Sequence, residues 1–143
     1  MFQVWRLNLK PDIRDANIEL KDVLEFCKKN ELLGVGWCDV TIRTDNDREL
    51  KSEIKRLYQY DKGGGVRALK AMRRMIPNDL IYTRFGGEYY LCRVKSKWID
   101  SVPTDEHKRH GIANFLNVEW SSIETEANVP GKVINTFGPS ATV

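Results

Sequence analysis

Hydrophobic and polar positions alternate along this chain with two different periods, and each change of period marks a new element. Residues 2–9 alternate bulky and polar side chains, the pattern of a half-buried strand, and Lys10-Pro11 ends it because proline has no amide proton for a ladder. Asn17 can accept hydrogen bonds from the unpaired amides of a following turn. Behind it Leu20, Val23, Leu24 and Cys27 fall at i, i+3, i+4 and i+7, one stripe of an amphipathic helix. The apolar run Leu32-Leu33-Gly34-Val35-Gly36-Trp37 predicts a buried second strand, whose glycines would let another backbone or a flat ligand approach. Thr44-Asp45-Asn46-Asp47 is a turn and cap cluster leading into a helix with Leu50, Ile54, Leu57 and Tyr58 on one face. Gly63-Gly64-Gly65 breaks that helix; its spacing matches no phosphate-cradling loop and it reads as a hinge. Residues 66–75 form the next helix, with Ala68, Ala71, Met72 and Met75 on its apolar side.

The second half is rich in strands. Residues 80–84 and 89–95 read as a hairpin, because Gly86-Gly87 supplies the positive φ angles of a tight turn. On the return strand Tyr90, Cys92 and Val94 point one way and Tyr89, Leu91, Arg93 and Lys95 the other. After Trp98-Ile99-Asp100 comes a polar loop over residues 101–111, then a strand over 113–120 that ends on a core Trp120. The pattern predicts an α+β domain, a small barrel of strands with helices beside it, over residues 1–130. Residues 131–143 form a polar tail that could lead into a further region.

Composition narrows the class. Of 143 residues, 41% are hydrophobic and 30% charged, as in ordinary globular domains, and no apolar run approaches the length of a membrane span. The start lacks the pattern of a signal peptide, and three widely spaced cysteines (Cys27, Cys38, Cys92) argue against a disulfide framework or a zinc site. A reducing, cytoplasmic setting is expected. A net charge of +3 implies no nucleic-acid partner by itself, so clustering decides. Arg67, Lys70, Arg73 and Arg74 share a helix face with no acid between them, which suits phosphate contact as well as plain solvation. Arg84, Arg93, Lys95 and Lys97 make a second basic group near the hairpin.

Nothing is assembled for catalysis. There is no GxSxG elbow, and Cys38 with His107 or His110 as base is better read as packing. His107 and His110 with Asp105 and Glu106 are the densest group of metal-ligand types, but Lys108 and Arg109 between them disfavour a cation. Neither a metal nor a cofactor is expected.

Three segments occur in an order that carries a resemblance: Val4-Trp5-Arg6-Leu7-Asn8, then Leu33-Gly34-Val35-Gly36-Trp37, then residues 74–84 continuing through Tyr89-Tyr90-Leu91-Cys92-Arg93-Val94. Together they resemble the EVE/YTH-like branch of the PUA-like superfamily, and in particular the modified-DNA-reading domains of McrB-like modification-dependent restriction systems. Two departures stand out: Asn78 replaces a glycine before the strand aspartate, and residues 44–66 are longer and more charged than the family pattern.

The resemblance implies a twisted β-barrel of five to six strands flanked by two to three helices. It also implies a non-catalytic reader that holds a flipped, modified base in an aromatic pocket. The partner would be nucleic acid, DNA rather than RNA, with any nuclease or NTPase effector lying elsewhere and no membrane involved. It puts the pocket at strand ends, where Trp37, Trp5, Tyr82 and Trp98 lie, with Cys38 and Asp39 offering edge contacts. Trp37 leads because Gly34 and Gly36 should leave open space beside it. Arg84, Arg93, Lys95, Arg67, Lys70 and Arg74 are the candidate phosphate contacts. The competing readings are an RNA-processing enzyme like those of the related ASCH branch, and a protein-interaction module.

Overall fold

The alternating stretch near the start of the chain serves two partners rather than one. In the computed structural model, which describes residues 2–38, 40, 44, 46–58 and 64–124, only Val4–Arg6 forms the first strand, β1. It lies parallel to β3 (Leu80–Phe85), with Trp5 beside Ile81 and Arg6 beside Tyr82. A few residues on, Lys10 makes a parallel bridge to Val35 in β2 (Leu32–Val35), and the Gly36 amide donates to the Lys10 carbonyl at 2.7 Å. The predicted strand over residues 2–9 is therefore divided, because its two ends meet opposite edges of one sheet.

That sheet has the order β1-β3-β4-β5-β2. β4 (Glu88–Val94) returns from β3 through Gly86 and Gly87, whose φ angles of +58° and +81° are those the glycines were expected to supply. β5 (Asn114–Glu124) pairs with β4 along its later residues and with β2 along its first ones. With both edges drawn together at Lys10, the five strands curl as a half-barrel, and the α+β expectation holds.

Four α-helices are among the described residues: α1 (Leu20–Lys29), α2 (Asp47–Leu57), α3 (Gly64–Arg74) and α4 (Asp105–Arg109), with a 3-10 turn at Trp98–Asp100 before the last. Asn46 caps α2, accepting from the amides of Arg48 at 3.0 Å and Glu49 at 3.1 Å. α1 starts later than Asn17. The Asn17 amide is taken by Asp15, and Asp22 reaches back to the Glu19 amide at 2.8 Å. The polar loop over 101–111 contains a helix because the Thr104 hydroxyl accepts from the His107 amide while the His107 ring accepts from the Thr104 amide. Asp45, Gly63 and the tail over 131–143 lie outside the described residues.

β2 explains why its sequence is apolar without alternation: both of its faces are covered. Leu33 and Val35 join the main core with Leu69, Met72, Ile81 and Leu116, between the sheet and α2 and α3. Leu32 joins a second core with Val23, Cys27, Ile112 and Phe115 beneath α1. Trp120 touches both cores while still half-buried, and its indole N–H donates to the Leu32 carbonyl at 2.9 Å.

The short parallel pairing of β1 depends on Asp79, which is 1% exposed. Asn78 before it takes the left-handed conformation, φ +80°, turning the chain into β3. One carboxylate oxygen of Asp79 accepts the Gln3 amide at 2.9 Å; the other accepts the Trp5 indole N–H at 2.9 Å and the Ile76 amide at 3.1 Å. Burial alone would raise its pKa, but these donors outweigh it and hold the carboxyl below its ordinary value of 3.8. Since the folded pKa is depressed, the stabilisation is fully present above about pH 4 and fades as pH falls through the folded value. Asp79→Asn, which turns an amide donor towards these donors, should destabilise the protein by about 1–3 kcal/mol at pH 7. In urea denaturation the gap between the two proteins should narrow below about pH 4; a gap independent of pH would contradict this account.

Candidate functional site

The aromatic residues expected to form one pocket do not face one space. Trp98 is fully buried in the main core, and its indole N–H donates to the Asn114 side-chain oxygen at 3.1 Å. It has no exposed ring face for a base, so its role as a pocket wall is corrected to one in the core. Trp5 and Tyr82 sit on neighbouring strands but one register step apart, so their side chains point to opposite faces of the sheet. Trp5 shares the inner face with Ile81 and reaches Asp79; Tyr82 shares the outer face with Arg6. Trp37 follows β2 and is half-buried against the main core with Cys38, also half-buried, next to it. Asp39 lies outside the described residues.

The glycines beside Trp37 do not leave open space. A methyl group on Gly34 would meet the Asn114 carbonyl at 2.3 Å and Phe115 at 2.8 Å, and one on Gly36 would meet Asp12 at 2.6 Å. They are glycine because β5 and the Asp12 segment press against β2 there.

Trp37 itself has φ +51°, a conformation costing a non-glycine residue about 1–3 kcal/mol that the surroundings must over-determine. Asn114 does so. It is 0% exposed, and its amide nitrogen donates to the Gly36 carbonyl at 2.6 Å and the Trp37 carbonyl at 3.1 Å, while its oxygen takes Trp98. One buried amide thus ties the end of β2, the start of β5 and the 3-10 turn together. The residue was overlooked in the sequence, although a lone asparagine between Ala113 and Phe115 in an apolar run is a visible signal.

The basic residues separate in the same way. Asp47, at the start of α2, pairs with Arg73 and lies 3.6 Å from Lys70. The Arg73 guanidinium, helped by Lys70, holds the Asp47 carboxyl below its ordinary value. Part of the helix face that carries no acid of its own is therefore answered by an acid from the neighbouring helix. Arg93 pairs with Glu119 across β4 and β5 at 2.8 Å. Lys95 lines a hollow of about 300 Å³ with Asn30, Glu31, Ser96 and Asn117, beside the end of α1.

Arg67, Arg74 and Arg84 are exposed. Arg6, to which the sequence pattern assigns no role, lies on the neighbouring strand β1. It is level with Tyr82 on the outer sheet face and near enough to Arg67 that, after burial, the Arg67 charge is what lowers its pKa. Arg84 lies two residues beyond Tyr82 on the same face, its guanidinium 5.7 Å from the centre of the Tyr89 ring. Arg6, Tyr82 and Arg84 therefore share the outer face of β1 and β3, and the charge of Arg67 on α3 is felt at Arg6.

The histidines are committed to structure. The His107 ring stacks on Phe115 at 4.4 Å and accepts the Thr104 amide at 2.8 Å; burial first, then His110, lowers its pKa. His110 stacks on Phe26 at 4.0 Å, its Nδ1 2.8 Å from the Glu106 carbonyl, at the side of a polar groove of about 690 Å³ between α1 and α4. Among the described residues no three His, Cys, Asp or Glu side chains converge as a metal site. No helix among the described residues is long and apolar enough to cross a membrane. Burial pushes the Cys27 thiol up to about 12 and raises Cys92 as well.

Comparison with protein families, with curated proteins and with solved structures returns no match.

Asn114→Ala would leave the Trp98 indole N–H and the Gly36 carbonyl without their partner, and should cost at least about 2 kcal/mol in equilibrium denaturation. Asn114→Asp, equal in size, should cost no less, because it sets a carboxylate oxygen against two carbonyls. A near-neutral Asn114→Asp would overturn the assigned hydrogen-bond directions.

Proposed function

We propose that this chain is a nucleic-acid-binding module that reads a base, with its phosphate contacts along the line from Arg67 through Arg6 to Arg84. The observation that supports the reading is the register that sets Arg6 beside Tyr82 on the outer face of β1 and β3, two residues from Arg84, where the Arg67 charge also bears on Arg6. Guanidinium groups flanking an aromatic side chain suit a polyanion with flat bases: the charges take phosphates and the ring takes a base face. The curled half-barrel accords with the EVE/YTH-like resemblance. In that reading the module recognises a modified base in DNA for a restriction or defence system, and the half-buried Trp37 with Cys38 beside it is the place to look for the base.

Titration of labelled oligonucleotides, with and without methylated or hydroxymethylated bases, tests this. Binding should weaken steeply with salt, and Arg6→Gln or Arg84→Gln should each reduce the slope of log K against log salt by about 1. Absence of binding to every oligonucleotide at low salt would overturn the reading. Cleavage products on gels would instead favour an RNA-processing enzyme, and a salt-insensitive protein partner an interaction module.

A further inference from the structure

The His107 ring makes a hydrogen bond that only its neutral form can make. Its Nδ1 accepts the Thr104 amide at 2.8 Å while the Thr104 hydroxyl accepts the His107 amide at 3.3 Å, closing the cap on α4. Around it the packing is apolar: Phe115 of β5 stacks on the ring at 4.4 Å, and Phe26 of α1 meets it edge-on at 5.7 Å. A backbone amide can only donate, so Nδ1 must hold a lone pair and the ring proton must sit on Nε2. A second proton can then go only to Nδ1, where it sets one N–H against another. The Thr104 hydroxyl, 2.8 Å away, can accept that proton, but the Thr104 amide is left without its partner. His110 is arranged the opposite way. Its Nδ1 lies 2.8 Å from the Glu106 carbonyl, which can only accept, so a second proton adds at Nε2 and breaks nothing there.

What this cap holds reaches beyond α4. Arg109 on the helix pairs with Asp15 at 2.9 Å, and Gly111 just past it, with φ +71°, accepts the Asp12 amide on its carbonyl at 2.9 Å. Asp12 in turn lies against Gly36, the residue before Trp37. We infer that His107 is a pH switch: a proton on its Nδ1 opens the cap of α4 and loosens the Asp12 segment that α4 holds against the turn at Gly36 and Trp37. The switch stands whether or not the chain binds nucleic acid.

The charged groups around the ring come from three places. α4 itself brings Asp105, Glu106, Lys108, Arg109 and His110. From α1 come Asp22, Glu25 and Lys29, which line the polar groove with His110. The segment before α1 brings Asp12 and Asp15, paired with Arg14 and Arg109. β5 presents Phe115 and carries no charged residue before Glu119. Burial first, then the charge of His110, holds the His107 pKa below its ordinary value of 6.5. A histidine whose folded pKa is depressed contributes stability that is full above the unfolded value, about pH 6.5, and is lost as pH falls to the folded one.

Imidazole nitrogen NMR and amide hydrogen exchange on the whole chain, between about pH 8 and about pH 5, test this. Asp79, whose carboxyl is held below 3.8, keeps its charge across that window. At the upper end the His107 proton should sit on Nε2. As the ring titrates, the protection of the Lys108, His110 and Asp12 amides, corrected for the intrinsic effect of pH on exchange, should fall roughly 2- to 30-fold, the loss expected of a broken cap. His107→Gln keeps an acceptor for the Thr104 amide and takes no proton, so its protection should stay level with pH whatever the lost Phe115 stack costs. If that variant does not fold, the parent alone decides. A proton on Nδ1 at neutral pH, parent protection that ignores the His107 titration, or an equal fall in folded His107→Gln would each overturn the switch. A fall confined to α4, with the Asp12 amide unchanged, would overturn its link to the Trp37 turn.

Discussion

The parallel pairing of β1 with β3 is the contact on which the rest of the outer surface depends, and Asp79 is what holds it. β1 is three residues long and lies far in sequence from its partner, so its few ladder bonds face the entropy of closing a long loop. A buried carboxylate that accepts from Gln3, Trp5 and Ile76 adds charge-assisted bonds to that short ladder. The consequence reaches the surface. Fixing Trp5 on the inner side of β1 obliges Arg6 to face outward, level with Tyr82 and within the influence of Arg67. A one-residue slip would bury the guanidinium and expose the indole.

A second buried polar group, Asn114, governs the opposite side of the sheet. The β2–β5 pair is covered on both faces, leaving no solvent to satisfy the polar groups of the turn at Gly36 and Trp37. Asn114 supplies the missing donor there and takes the Trp98 indole with its remaining acceptor. The same demand that gives Trp37 its left-handed backbone draws Trp98 into the core. Trp37 and Trp98, both tied to Asn114, therefore differ in exposure: one is half-buried and the other fully buried.

Local patterns were legible and long-range ones were not. The Gly86-Gly87 hairpin, a cap within the cluster over residues 44–47, and the apolar faces of α1, α2 and α3 follow from rules that act over a few residues, and they appear except that Leu20 at the start of α1 is exposed. The later start of α1 and the hidden α4 turned on reciprocal caps, Glu19 with Asp22 and Thr104 with His107. The histidine of the latter is an unusual choice for the returning side chain. Division of the first strand between β3 and β2 could not be read locally, because both partners lie far along the chain. Gly34 and Gly36 left a backbone or a flat ligand as alternatives, and strand and loop backbones take the place; sequence shows that something comes close, not what. The place of Arg6 depends on the long-range register that sets it beside Tyr82, which no local pattern carries.

The fold also sorts its cations by how they are answered. Asp47 reaches across from α2 to Lys70 and Arg73, and Glu119 across from β5 to Arg93, so these side chains help hold neighbouring elements together. An exposed pair such as Arg93 with Glu119 contributes little by itself, whereas Arg73, whose side chain is 10% exposed, is the better shielded partner of Asp47. Arg6 is partly desolvated and also feels the like charge of Arg67, and both lower its pKa. Like charges brought together cost stability that a polar, uncharged side chain would not, and removing one of them would relieve it. A polyanion laid across the two would reverse the sign of that cost, because each phosphate then neutralises charge that the folded protein had concentrated. On the proposed reading, the repulsion between Arg6 and Arg67 and the attraction a phosphate backbone would feel there are two aspects of one field, so the edge of β1 should carry part of the salt dependence of binding.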